Sequence, residues 1–302
     1  MYDQWFAKLG YNLITMNQIA RCQFHFKEPL SAHTSIKIGG PASIFVVPQS
    51  IDTLLCCIQQ LDFLSPRIIG NGTNVIAPDE GIDCVIKTSQ LTSTVVKDNT
   101  IESECGTPLR DLCKLALENE LQGLEFAWGI PGTIGGAVVM NAGAFGSQMS
   151  EIVEEVLTFD GENIFALKGD ALRFSYRSSV FREKGWLVLK VKIRLKHGIK
   201  EKIRGGMRRI MKQRFESQPL DFPSAGSVFK RPTETFYVGK AIEDLGLKGY
   251  AIGGAEISKK HAGFIINRGG ATAEDVKRLI SCIQQKVYTH FGVLLEPEVI
   301  LW

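Results

Sequence analysis

Apolar positions recur along this chain with two periods, and the switches between them outline its elements. Ser43-Ile-Phe-Val-Val-Pro48 is a β-branched and aromatic run closed by proline, which predicts a strand. From Ser50 to Phe63 the apolar residues Ile51, Leu54, Leu55, Ile58 and Leu61 share one helical face, with Ser50 or Asp52 as cap. Arg67-Ile-Ile reads as a short buried strand that runs straight into Gly70-Asn-Gly-Thr-Asn74. The opening is therefore β-α-β, preceded by an N-terminal segment that reads as helical.

Strands dominate the next stretch: Cys84 to Lys87, Ser93 to Lys97 and Thr100 to Cys105 alternate or carry β-branched residues. Pro108 to Asn119 is predicted as a helix, with Thr107 as N-cap and Pro108 at the first helical position. Further strands are expected at Val156–Phe159, Asn163–Leu167 and Trp186–Leu195, the last alternating basic and apolar residues as a strand with one wet face does. Basic residues crowd Lys196 to Arg214, with Ile203, Met207, Ile210 and Met211 at helical spacing, and the domain boundary is set near residue 200. Beyond it come strands at Ser227–Lys230, Ala262–Asn267 and Leu294–Leu301, and helices near Val238–Leu245 and Ala273–His290. The fold class is α+β, in units 1–200 (subdomains about 1–88 and 89–200) and 201–302, with the last strand free to return to the first unit.

With 44% hydrophobic and 22% charged residues in 302, the chain has the composition of a folded protein. A net charge of +3 makes no case for nucleic acid but suits an anionic small ligand. The seven cysteines include no C-x-x-C pair, so reduced thiols in a cytoplasmic protein are expected rather than a disulfide framework or zinc ribbon. The segment Met1 to Leu13 lacks a basic region followed by a continuous apolar core, so no signal peptide is expected. No charge falls between Glu125 and Glu151, yet the segment is broken by glycines, Pro131, Asn141 and Gln148, and its unbroken apolar run is only Ala137 to Met140. That is far short of the ~20 residues of a membrane span. A glycine-dense, uncharged segment instead presses its backbone against something.

Gly70-Asn-Gly-Thr-Asn74 begins like a dinucleotide fingerprint, but Val75 replaces the third glycine and no amphipathic helix follows. Alone it is an ordinary turn. Gly129-Ile-Pro-Gly-Thr-Ile-Gly-Gly-Ala137 is less ordinary: its glycines let successive backbone N–H groups share one concavity, an anion-binding nest beside a helix start. No Lys follows in the Walker position. A phosphate-bearing cofactor and tight helix-on-sheet packing both fit the pattern. No G-x-S-x-G elbow, H-E-x-x-H spacing or acidic triplet is present, so no metal site is expected.

These two segments, with Met140-Asn-Ala-Gly-Ala-Phe-Gly146, Phe174-Ser-Tyr-Arg177-Ser-Ser, Pro223-Ser-Ala-Gly-Ser227-Val-Phe-Lys230, His261-Ala-Gly-Phe-Ile-Ile-Asn267 and Leu295-Glu-Pro-Glu298-Val, resemble the UDP-N-acetylenolpyruvoylglucosamine reductases, flavoenzymes of peptidoglycan precursor synthesis. The matches run in order from about residue 33 to the C-terminus, and their spacing resembles the shorter branch that lacks a tyrosine-bearing loop. The resemblance implies an FAD domain of the vanillyl-alcohol-oxidase (PCMH) type in two α/β subdomains, followed by a smaller α+β substrate domain. It implies FAD as cofactor, NADPH as co-substrate, UDP-N-acetylglucosamine enolpyruvate as substrate, no membrane partner, and a monomeric cytoplasmic enzyme.

By the same resemblance, cofactor binding falls on Gly70, Asn71, Gly72, Thr73 and Asn74 and on Gly129, Pro131, Gly132, Gly135, Gly136 and Ala137, with Gly39 in the same wall. Ser227 matches the proton donor, Arg177 the stabiliser of the substrate carboxylate and enolate, and Glu298 the third catalytic position, with Glu296 as its rival. By residue type alone, Ser227 is a turn serine, Arg177 a surface ion pair and Glu298 a solvent-facing strand carboxylate. Tyr176, Arg214, Gln218, Lys230, His261 and Asn267 are implied substrate contacts. Arg231, Gly263 and Ile300 depart from the family pattern. A different FAD-dependent oxidase of the same fold and a catalytically silent nucleotide-binding protein are the rival readings.

Overall fold

The computed structural model describes residues 22–302; the helix expected at the N-terminus lies outside them. The first sheet has the order Gln23–Pro29, Pro41–Val47, Ile82–Lys87, Arg67–Ile69. Its first pair is antiparallel and the other two are parallel. The helix Ile51–Leu61 starts at Ser50, whose Oγ accepts the Thr53 N–H while Thr53 Oγ1 accepts the Ser50 N–H. Its Leu54, Cys57 and Leu61 are fully buried, as the helical spacing requires.

The second sheet is wholly antiparallel, in the order Ile164–Lys168, Val153–Phe159, Leu187–Arg194, Thr100–Glu104, Thr94–Lys97. Val188, Val191 and Ile193 go inward, and the basic residues between them pair across strands, Lys192 and Arg194 with Glu154 and Lys190 with Glu102. One cap differs from expectation. The helix runs over Leu109–Glu118 with extended Pro108 as its N-cap, and the buried Thr107 hydroxyl finds no partner among the described residues. Backbone pairing explains this: Pro108 bridges Thr133, Leu109 N–H donates to Gly132 O, and Thr107 O accepts the Ile134 N–H. The second glycine loop holds this turn extended and denies Thr107 the cap geometry.

The third sheet is antiparallel, Ser224–Ser227, Phe264–Asn267, Ala255–Ile257, Ala251–Ile252, and it is backed by the helix Ala273–Phe291. The strand expected over Leu294–Leu301 shrinks to Ile300–Leu301, because Pro297 cannot extend a ladder; it makes only an isolated bridge to Phe229. Ser227 likewise ends its strand rather than starting it.

The cores interlock. The basic helix Lys200–Ser217 buries Ile203 and Met207 in the first hydrophobic cluster. Ile36, Ile38 and Ile76 from the first part join the second cluster, around Ile257, Ile265 and Leu279. Ile300–Leu301 returns to pair in parallel with Val75–Ile76, directly after the first glycine loop. Asp79 adds a further tie by accepting the Ala273 and Glu274 N–H groups at the start of the C-terminal helix.

Candidate active site

A cavity of about 1480 Å³ lies where the three sheets meet, with both glycine loops on one side and the C-terminal sheet on the other. That exceeds the ~300–1,000 Å³ of a pocket for one drug-sized ligand, so it has room for a dinucleotide and a second molecule.

The two loops touch. Asn71 Nδ2 donates to Pro131 O at 2.9 Å, and a Cβ on Gly70 would lie 2.6 Å from Thr133 Oγ1. Gly72 adopts φ +60° with His33 O where a side chain would go. Among the described residues, the backbone N–H groups of Asn71, Gly72, Thr73, Asn74, Gly132 and Thr133 have no protein acceptor. Such a row of free donors on a cavity wall fits a diphosphate bridge, and FAD with it. The later glycines serve otherwise. The Gly135 N–H is spent on Cys105 O and a Cβ there would lie 2.8 Å from Cys105 Cβ, while the Gly136 N–H is capped by Thr133 Oγ1. Gly135, Gly136 and Ala137 line the cavity, but the first of these is a packing glycine. Asn74 also locks its loop to the C-terminal segment, since its Nδ2 donates to Glu298 O and its carbonyl accepts the Ile300 N–H.

Across the cavity, Arg177 Nε donates to Glu298 Oε1 at 2.9 Å and its Nη2 to Gly143 O at 3.0 Å. The tight turn Ser175–Ser178 presents it with φ +55°. Arg182 holds that turn from one side, donating to Arg177 O at 2.7 Å. Asn141, 1% exposed and itself at φ +41°, holds it from the other, donating to Ser175 O while accepting the Ser150 N–H. Burial pushes the Glu298 carboxyl above its ordinary range, against the opposing pull of Arg177. Glu296, two residues earlier, is 67% exposed and pairs outward with Lys230, so of the two carboxylates it is Glu298 that meets Arg177. Glu298 N–H donates to Val228 O, which seats its segment beside Ser227. A bulge between Ser224 and Ser227, with Gly226 at φ +82°, shapes the strand end where Ser227 lines the cavity, its hydroxyl without a protein partner among the described residues.

Of the implied substrate contacts, Tyr176, Arg214, Gln218 and His261 line the cavity. Tyr176 is half-exposed, with the Arg177 guanidinium over its ring and its OH accepting the Arg231 N–H. Arg214 is 8% exposed, donates to Gln218 Oε1, packs against Gly129, and has no partner for its Nε among the described residues. His261 is half-buried with Nδ1 accepting the Gly263 N–H, and burial pushes its pKa down, so it sits there neutral near pH 7.

Three expected residues do not reach the cavity. Gly39 is packed between Ala77 and Leu30 in the N-terminal hairpin. Asn267 is buried with Nδ2 on Ile36 O and Oδ1 on the Gly269 and Ala271 N–H groups, so its amide staples the two parts of the chain. Lys230 is turned to Glu296. Conversely, Asn141 and Arg182 hold the site although the sequence pattern does not single them out. A buried Asn in the left-handed region was readable only as the Asn-Ala-Gly of a glycine-rich motif, and nothing local marks Arg182. Among the described residues no cluster of His, Cys, Asp or Glu could hold a metal, and no helix is long and apolar enough to cross a membrane.

Known proteins resemble this chain over nearly its whole length. Residues 218–302 match the model of the UDP-N-acetylenolpyruvoylglucosamine reductase C-terminal domain, and residues 42–162 match that of an FAD binding domain. The UDP-N-acetylenolpyruvoylglucosamine reductase of Pseudothermotoga lettingae is 49% identical over 93% of this chain and 98% of its own length. The chain belongs to the UDP-N-acetylenolpyruvoylglucosamine reductase family. The enzyme of the same name from Thermotoga maritima is 50% identical over 91% of this chain and 97% of its own. The solved UDP-N-acetylenolpyruvylglucosamine reductase from Thermus caldophilus superposes with a TM-score of 0.75 at 32% identity, covering 93% of this chain and 99% of that one. The α+β architecture of an FAD domain followed by a substrate domain is therefore that of the family.

Proposed function

We propose that this protein reduces UDP-N-acetylglucosamine enolpyruvate to UDP-N-acetylmuramate, a peptidoglycan precursor, with FAD as cofactor and NADPH as hydride source. The carrying observation is convergence: Arg177, Ser227 and Glu298, from three distant segments, line one cavity with two touching glycine loops that offer free backbone donors. When bound, FAD supplies hydride transfer, accepting from NADPH and delivering to the methylene carbon of the enolpyruvyl ether.

The residues then have distinct roles. The diphosphate bridge takes the donors of Asn71 to Asn74 and of Gly132 and Thr133. Negative charge developing on the substrate's α-carbon and carboxylate is met by Arg177, whose Nη1 has no protein partner among the described residues while Nε and Nη2 are fixed. Glu298 orients that guanidinium. Ser227 delivers the proton to the α-carbon, which its hydroxyl can do only with cationic neighbours to stabilise the alkoxide. Arg214 and His261 face the substrate's remaining polar groups. The free thiols and the nucleotide substrates support a cytoplasmic enzyme.

The test is anaerobic. The yellow protein is bleached with NADPH and then given UDP-N-acetylglucosamine enolpyruvate; return of the oxidised flavin spectrum with a lactyl ether product is expected. Return of colour only on admitting oxygen would identify an oxidase of the same fold, and a failure to bleach would identify a silent nucleotide-binding protein.

A further inference from the structure

A pair of thiols stands apart from the cavity. Cys22, at the foot of the strand Gln23–Pro29, and Cys57, on the helix Ile51–Leu61, place their Sγ atoms 3.3 Å apart across 35 positions of sequence. Neither lines the cavity, and the proposed reaction uses neither. The two differ in access: Cys22 is partly exposed and Cys57 is fully buried. No third metal-ligating side chain completes a cluster with them among the described residues.

We propose that Cys22 and Cys57 form an oxidisable dithiol that a peroxide closes to a disulfide. In the first step the Cys22 thiolate attacks a peroxide oxygen; the O–O bond breaks, an S–O bond forms, and Cys22 becomes the sulfenic acid as the first water leaves. In the second the Cys57 sulfur attacks Cys22 Sγ, the S–O bond breaks, and a second water departs with the remaining protons. Two thiols are oxidised and one peroxide is reduced, with no other reactant.

The order of attack follows from the surroundings. Hydrogen bonding to Cys57, aided by Thr53, holds the Cys22 thiol below its usual range, whereas burial pushes Cys56 up and Cys84 up to about 12. Only the partly exposed member of the pair is thus suited to meet the oxidant. The sulfurs need to close from 3.3 Å to about 2.05 Å, a shift that side-chain rotation at the chain's entry into the hairpin can supply. The bond would tie this entry to the helix beneath the first sheet. That sheet contains Arg67–Ile69, which runs into the first glycine loop.

Full-length protein would be treated with hydrogen peroxide, alkylated, and digested without reduction. Before alkylation the intact mass should be lower by about 2 Da, and the digest should contain a linked peptide whose fragments join Cys22 to Cys57. Dithiothreitol should reverse the change, and the oxidised form should melt at a higher temperature. Cys56→Ser should keep the link and Cys22→Ser should abolish it. Linkage of Cys22 to Cys56, or oxidation of Cys22 to sulfinic acid with Cys57 still alkylatable, would overturn the proposal. Should Cys22→Ser not fold, Cys57→Ala gives the same decision: a sulfenic acid trapped on Cys22 by dimedone supports the order of attack, and its absence overturns it.

Discussion

The glycine-loop wall and the Arg177–Glu298 corner face the same cavity but are assembled from opposite materials. The loops work with main chain: the donors that line the cavity are backbone N–H groups, and a Cβ at Gly70 or Gly72 would strike Thr133 Oγ1 or His33 O. The corner works with side chains at 20% and 18% exposure, an ion pair whose members lie 121 positions apart and are held by Asn141, Arg182 and the Val228–Glu298 backbone bond. A main-chain site is encoded locally. A side-chain site exists only once distant segments have met.

The largest effect should come from the corner. Arg177→Ala is expected to leave NADPH bleaching of the flavin near normal while slowing reoxidation by the enolpyruvyl substrate about 10²–10³-fold, measured by anaerobic stopped flow. Equal slowing of both halves would mean that the corner positions cofactor rather than substrate.

The loop wall can be dissected by two glycines. Gly135→Ala drives a Cβ to 2.8 Å from Cys105 Cβ and should destabilise the fold by about 1–3 kcal/mol, read as a lower melting temperature. Gly132→Ala meets nothing nearer than Thr73 Oγ1 at 3.6 Å, so the apoprotein should melt normally yet retain flavin more weakly. Normal flavin affinity in Gly132→Ala would remove that loop from the cradle.

Asn141→Ala leaves the Ser150 N–H unpaired and takes one of two donors from Ser175 O, which keeps the Ser178 N–H, and should cost about 1–3 kcal/mol. If it positions Arg177, kcat should fall more than KM rises, with bleaching by NADPH unaltered. A loss of stability alone would make it a purely structural residue.

The smallest effect concerns pH. The Glu298 carboxyl is lifted by burial, so the folded protein holds more protons than the unfolded chain between the ordinary carboxyl range and the lifted value. Its contribution to stability is present below that window and is lost as pH rises through it. Melting temperatures of wild type and Glu298→Gln should therefore diverge in favour of the variant as pH rises from acid toward neutral. Glu296→Gln, at an exposed pair, should change stability by no more than about 0.5 kcal/mol at any pH.

Much of the fold was legible in the chain. The periodicity of Ser50–Phe63 and Ala273–His290 gave the long helices nearly to their ends, and the basic-apolar alternation of Leu187–Arg194 gave a strand with one wet face. What misled was always a neighbour. Thr107 lost its cap to the backbone of Gly132 and Thr133, Leu294–Leu301 was broken by Pro297, and the basic helix followed Ile203 and Met207 into the first core despite its charge. The family resemblance marked Asn267 as a substrate contact, whereas its buried amide bonds backbone groups of Ile36, Gly269 and Ala271.

By itself the sequence determined where the main chain must be bare and which polar residues were available, because glycine content, periodicity and turn chemistry act over a few residues at a time. Tertiary structure alone decided that Glu298 and not Glu296 meets Arg177, that Gly135 packs while Gly132 stays open, and that Gly39, Lys230 and Asn267 stand outside the cavity. Each of those outcomes turns on which of two chemically equal groups ends up desolvated beside a partner from another segment, and only the packed chain sets that.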